Sequence, residues 1–337
     1  MTVLGSLDPA TYAPHRLHGP DRSFPETNCY VDVWIELLHA HGLDPMAMLG
    51  FCAAIDWEDD QWTFFKPPLA DLEALYGIEV EELSVYRPLA DHVGTLLARG
   101  RTTIVEVDAF SLPDVAGRTY GIAHEKTSIA PSAIDPTGRR LRYFHNAGLF
   151  ELTGDDYDAV LGTPNAQRPP AMLPGYAELV KLERRRGRDA GDLRRVAARL
   201  LARHTDRLPD RNPAAAFAGQ LADDLGRLAG DAAAYHAYAF ATLRQCGAAW
   251  SLLAEFLAWL RTADAAAEHA ERLAATARVL ILRLARAARS GRPLDAAENL
   301  ADLTAAWDAL AAALAKATSA RVARPGRPPS TRTTASC

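Results

Sequence analysis

The stretch Lys126–Phe144, KTSIAPSAIDPTGRRLRYF, decides the fold. Lys126 to Ile134 and Arg139 to Phe144 are rich in β-branched and apolar residues. Between them Asp135-Pro-Thr-Gly138 is a turn with Pro at its second position and Gly at its fourth. The reading is an antiparallel hairpin. Upstream, Thr102-Thr-Ile-Val-Glu-Val-Asp-Ala-Phe110 is a further apolar run that ends at Leu112-Pro113, where a strand stops. Before that, Tyr30, Val33, Trp34, Leu37 and Leu38 recur at helical spacing and halt at Gly42, a C-cap candidate. A long helix followed by such strands predicts an α+β domain.

Outward from this core the composition shifts. Gly162-Thr-Pro-Asn-Ala-Gln-Arg-Pro-Pro170 and Pro174-Gly175 break both periodicities and mark a linker. From residue 176 to about 317 Ala, Leu and Arg dominate, and breaks at Arg207-Leu-Pro-Asp-Arg-Asn-Pro213, Gly230-Asp231 and Gly291-Arg-Pro293 divide the segment into four or five helices, a helical bundle. The expected organisation is 1–165 for the α+β domain, 176–317 for the bundle and 318–337 for a disordered, Arg- and Pro-rich tail. The whole chain has 337 residues, 49% hydrophobic and 23% charged, which suits a soluble globular protein and excludes a collagen-like or wholly disordered chain. No apolar run of about 18 residues points to a membrane span, and the first residues do not read as a signal peptide, so no membrane partner and a cytoplasmic location are expected. Cys29, Cys52, Cys246 and Cys337 are far apart, which fits reduced thiols better than a disulfide framework or a zinc site. Residues 1–175 hold 25 acids and 12 Lys and Arg, whereas 176–337 hold 17 acids and 25 Lys and Arg. The basic half lacks interleaved aromatics, so no nucleic-acid partner is expected; Arg184-Arg-Arg186 with Arg194-Arg195 would suit an acidic protein.

Chemistry concentrates around Glu26-Thr-Asn-Cys-Tyr30. Asn28 or Thr27 is a good N-cap, which sets Cys29 at the first position of the helix. There unpaired N–H groups and the positive end of the helix dipole favour a nucleophilic thiolate. Such a nucleophile needs a base and a group that orients the base. His124 enters the first hairpin strand, Asn146 closes the second, and the turn register allows the two to be neighbours across the ladder, a spacing compatible with a Cys29–His124–Asn146 set that it does not by itself establish. His145 competes with Asn146 for the third place. Cys52 and Cys246 read as core and no metal site is expected.

The segments ETNCYVDVWIELLHAHGLDP, VEVDAFSLPD, HEKTSIA, YFHNAGLFEL and FATLRQCGAAWSLLAEFLAWL resemble an uncharacterised bacterial family, the domain of unknown function numbered 1839. The N-terminal half is in turn similar to butirosin-type acyltransferases, whose fold is papain-like. The pattern is a Cys that opens a helix, a strand that ends in Val107-Asp-Ala-Phe-Ser-Leu-Pro113, and a His about a dozen residues on. The resemblance implies an acyltransferase of secondary metabolism. An aminoacyl group would pass from the phosphopantetheine thioester of an acyl or peptidyl carrier protein through Cys29 to a small-molecule amine acceptor. His124 would move the proton and Asn146 would hold its tautomer. No tightly bound cofactor is implied, only the arm that the carrier brings. The Cys29 N–H would be one oxyanion donor; papain-like enzymes place a Gln where this chain has Ser23, and Asn28 is a stand-in for it. Asp108 would meet the substrate ammonium, and Trp62 and Tyr120 would line the substrate pocket. Two other classes fit the same residues: a cysteine hydrolase, peptidase or amidase, that uses water as acceptor, and a non-catalytic interaction protein in which Cys29 is buried.

Overall fold

A computed structural model describes residue 4 and residues 7–166, 175–228, 231–261, 263–290 and 296–322. Asn28 opens α1 (Cys29–Ala40) as expected: its Oδ1 accepts the Val31 N–H at 2.9 Å. Then come α2 (Leu69–Tyr76), β1 (Glu79–Glu82), α3 (Leu89–Ala98) and β2 (Thr102–Asp108). The hairpin follows as β3 (Lys126–Asp135) and β4 (Arg140–His145), with its turn tied by Asp135 Oδ1, which accepts the N–H groups of Thr137 and Gly138. Pro131, which has no N–H to give the ladder, sits at a register shift between Pro131 and Ala133.

The strands β5 (Gly148–Thr153) and β6 (Ala177–Lys181), with α4 (Asp155–Leu161) between them, complete a six-stranded sheet in the order β1-β6-β2-β3-β4-β5. Every pair in it is antiparallel. The α+β class holds, but the boundary moves. β6 lies inside the stretch expected to be helical, and it inserts between β1 and β2. Its residues, Ala-Glu-Leu-Val-Lys, carry good helix formers, and tertiary pairing overrides that preference. Glu178 is buried there because Tyr30 and Tyr176 donate to its two oxygens at 2.6 and 2.8 Å.

The sheet's side chains alternate between two cores. On one face Val105, Val107, Ile129 and Tyr143 pack with α3 and α4. On the other, Ile104, Ala130 and Phe144 pack under α1. That second core does not stop at the sheet. It runs through the 3₁₀ segment Pro45–Ala54 into α5 (Ala190–Thr205) and α8 (Gln245–Leu260), and on to α9 (Asp264–Ser290) and α10 (Ala297–Val322). Trp57, Trp62, Phe217 of α6 (Pro213–Leu228) and Trp250 meet at its centre, with ring centroids 5.1–5.7 Å apart. The helical part therefore shares a core with the sheet rather than building its own. α10 carries residues 318–322 in helix; the rest of the expected tail, and residues 167–174 of the expected linker, lie outside the described residues. Among the described residues no helix is long and apolar enough to cross a membrane.

Candidate active site

One end of the sheet, where β2 and β4 finish and β3 begins, opens on a cleft of about 460 Å³. Cys29, Asn28, Thr127, His145 and Asn146 line it from the sheet half, and Arg244 and Gln245 from the helical half. Cys29 is half-buried at the first position of α1. Its Sγ lies 3.7 Å from Ser128 Oγ. Among the described residues no imidazole stands within hydrogen-bonding reach of the sulfur.

His145 ends β4 and is buried. Its Nδ1 donates to Asp114 Oδ2 at 2.6 Å, and Tyr143 donates to the other Asp114 oxygen. That fixes the proton on Nδ1 and leaves Nε2 as an acceptor, which takes the Thr127 hydroxyl at 2.8 Å. Thr127 and Ser128 are consecutive on β3, so they leave the sheet on opposite faces. His145 and Cys29 thus reach the cleft from opposite faces of the sheet end.

His124 does not line this cleft. The turns from Val115 to Ala123 place it ahead of β3, with its side chain 74% exposed. Asp108 Oδ2 takes its Nδ1 at 2.6 Å, and the ring stacks on Phe110 with centroids 4.4 Å apart. Asn146 does line the cleft, as the φ 44° residue of the two-residue loop between β4 and β5, but the orienting partner of His124 is Asp108. The hairpin register carries Ser128, not His124, level with Asn146, because Ala130 pairs with Phe144.

Other expected contacts also fall elsewhere. Asp108 accepts from His124 and from the Phe110 N–H at 3.0 Å; burial would raise its carboxyl, yet these bonds hold it below the usual range. It is engaged in its own pair rather than open to a substrate ammonium. The Asn28 amide is spent, with Oδ1 on the helix cap and Nδ2 donating to Phe65 O at 2.8 Å, so it is not a spare oxyanion donor. Trp62 is a core residue, and Tyr120 donates to Asp156 Oδ2 at 2.9 Å. Neither is part of the cleft wall. Cys52 and Cys246 are fully buried, and burial pushes both thiols up.

A charged network beneath the helix start escaped the sequence reading. Asp32, one turn after Cys29, accepts the Thr27 N–H at 2.8 Å and the Thr27 hydroxyl at 2.5 Å, and so fixes the chain entering α1. Its Oδ1 also lies 3.3 Å from His18 Nε2. His18 Nδ1 pairs with Glu36, which takes Tyr12 OH and the His15 N–H besides. Asp32 and Glu36 stand four apart on α1, a spacing visible in the sequence, but their shared partner comes from a segment with no periodic signal. Arg118 makes a two-pronged pair with Glu26 at 2.7 and 3.3 Å on the cleft's rim, and Arg244 donates to Glu26 O at 2.9 Å.

No curated protein matches the chain. Residues 13–182 match the family model of the DUF1839 N-terminal domain and residues 190–316 that of the DUF1839 C-terminal domain, and the chain belongs to this family.

Proposed function

We propose that the protein is a cysteine-dependent acyltransferase, with Cys29 as nucleophile and a papain-like placement of that residue. One observation carries the reading: a half-buried thiol at the first position of a capped helix opens on a cleft that also holds a carboxylate-oriented histidine. In the first step Cys29 Sγ bonds to the carbonyl carbon of a thioester donor, the donor's C–S bond breaks, and the thiol's proton ends on the departing sulfur. In the second, an amine attacks the enzyme thioester, the Cys29 C–S bond breaks, and an amine proton returns to the thiol. The sum is thioester plus amine to amide plus free thiol. The base is His145, whose acceptor nitrogen meets the cleft through the Thr127 hydroxyl, with Asp114 as its orienting group. The Cys29 N–H, at the helix start, is an oxyanion donor. A carrier-protein phosphopantetheine thioester is the donor this chemistry suits, since thiol-to-thioester exchange is nearly isoenergetic.

Incubation with aminoacyl thioesters followed by intact-mass analysis tests this. A mass increase of one acyl group, absent from Cys29→Ala and cleared by added amine, is expected. Clearance by water at the same rate without amine makes the protein a hydrolase instead. A second reading, a non-catalytic binding cleft, is favoured by the hydroxyl rather than imidazole neighbour of the sulfur. Under it the wild type takes up no acyl group, and Cys29 alkylates no faster than an ordinary exposed thiol.

A further inference from the structure

Arg244 is a cation without an anion. Its side chain is half-buried, Nη2 donates to the Glu26 backbone oxygen at 2.9 Å, and Nε is buried with no partner. Arg22, Arg139 and Arg142 also leave Nε unpaired, but each has a carboxylate on its other nitrogens. Among the described residues no carboxylate stands within 4.0 Å of the Arg244 guanidinium. The remaining charges of the cleft are engaged: Glu26 by Arg118, Lys126 by Glu106, and Asp32 by Thr27 and His18. Glu125, exposed at the rim, acts on Arg118. Two neutral groups of the same wall, Thr119 Oγ1 and Gln245 Oε1, are buried and unpaired as well. Buried polar groups are nearly always paired, so three in one wall mark a place where a ligand supplies the partners.

The chemistry of the three selects an anion. The guanidinium only donates, the hydroxyl donates or accepts, and a half-turn of the Gln245 carboxamide puts N–H groups where its oxygen lies. The wall also continues past the cleft. Phe240–Arg244 is a π-helical turn between α7 (Ala232–Ala239) and α8, a local widening that re-aims side chains. It sets Phe240 and Arg244 where the cleft meets a neighbouring groove of about 830 Å³. The groove is walled by Phe240 and Leu282, 59% and 62% exposed, with Phe24, Tyr235 and Ile281. An apolar groove that ends at one unmatched cation is complementary to an apolar body with one negative charge.

We propose that cleft and groove together bind a small carboxylate with an apolar body. The carboxylate accepts from Arg244 Nε, the Thr119 hydroxyl and the Gln245 amide, and the body lies along Phe240, Ile281 and Leu282. One further step rests on the acyl-transfer reading above: the occupant is the amine acceptor, an amino carboxylate with an apolar side chain.

Calorimetric titration of the wild type with 3-phenylpropionate, 3-phenylpropan-1-ol and 2-phenylethylamine tests the carboxylate site without any chemistry at Cys29. The carboxylate should bind roughly tenfold or more tighter than the alcohol and the amine. Arg244→Gln should bring it down to the level of the alcohol, whose own affinity stays unchanged and reports an intact groove, and Arg244→Lys should restore part of the preference. Equal affinities, a tighter amine or no binding of the carboxylate by the wild type overturns the proposal, whatever the variants do. The acceptor step is read separately, by intact mass on acylated Cys29. L-Phenylalanine should clear the adduct at least tenfold faster than glycine, whose amine is nearly as basic. Equal clearance removes the acceptor assignment and leaves the carboxylate site. Failure of the wild type to acylate refutes the transferase reading, and with it the acceptor step, while the titration still decides the site.

Discussion

Raising the pH should loosen the clamp beneath the start of α1. The His18 side chain is fully buried between Glu36 and Asp32. Burial works against its imidazolium, but the hydrogen bonds and charge of those carboxylates outweigh it and raise the group from 6.5 to about 9. Since the folded value lies above the unfolded one, the stabilisation is complete below about pH 6.5 and disappears as pH climbs through about 9. With those two values the contribution falls by roughly 2 kcal/mol between about pH 7 and pH 9. The neighbouring histidines and Glu36 lose their shares on the acid side instead. Burial lowers His15 and His41 to about 4, so what they contribute is lost only as pH drops below about 6.5. Glu36, which burial would raise but His18 holds below its usual range, loses its share at lower pH still. Urea unfolding, followed by tryptophan fluorescence at about pH 7, 8 and 9, above the range in which His15 and His41 titrate, measures the effect. The wild type should lose roughly 2 kcal/mol across that interval. His18→Gln should be less stable throughout, with two buried carboxylates left without their cation, and flat over the same interval. A flat wild-type curve, or a His18→Gln curve parallel to it, would refute the reasoning.

Two further outcomes separate the histidines and test the packing. His145→Gln, which keeps a donor for Asp114, should slow Cys29 acylation by roughly a hundredfold, while His124→Ala should change it less than about threefold, both read by intact mass. A larger loss for His124→Ala would return the base to the Asp108 pair. Gly247→Ala should destabilise by about 1–3 kcal/mol in thermal or urea unfolding, because a Cβ there would lie 2.7 Å from Phe24 Cζ and 3.0 Å from Ala277 Cβ. Unchanged stability would mean that α8 and α9 have room to part.

Where a local signal was strong, sequence and structure agree. The Asn28 cap, the α1 stripe and the β3–β4 turn depend on neighbours within a few residues, and each falls where its pattern puts it. What was not legible depends on distant partners. β5 follows β4 after two residues only, so its apolar pattern merges with the tail of the preceding strand. β6 has a helix former's composition and becomes a strand because β1 and β2 leave a gap for it. The cleft divides in the same way. Cys29 could be found from its cap, whereas His145 needed Asp114, which lies 31 residues away in a 3₁₀ turn, and Gln245 needed the π-helical turn before it. His124 illustrates the converse. It was read as entering the first hairpin strand, but it lies two residues ahead of β3, where the preceding turns rather than the ladder place it. Those turns deliver it to Asp108 and Phe110.

The two matched segments of the family, 13–182 and 190–316, describe a boundary in sequence that is not a boundary in packing. Trp57 and Trp62 from the first segment close on Phe217 and Trp250 from the second, all four buried, so neither segment holds this part of the core alone. The same is true of the cleft. Its sulfur, its histidine and Arg118 come from the first segment, and Arg244 and Gln245, whose Oε1 is unpaired, from the second. Arg244 even reaches across to the backbone at Glu26, three residues before Cys29. A change that shifts α8 by a fraction of an ångström therefore moves the wall of the cleft relative to Cys29 without touching the residues around the sulfur. The helical half is therefore part of the cleft: on the acyl-transfer reading the sheet half supplies Cys29 and His145, and Arg244 and Gln245 supply the facing wall.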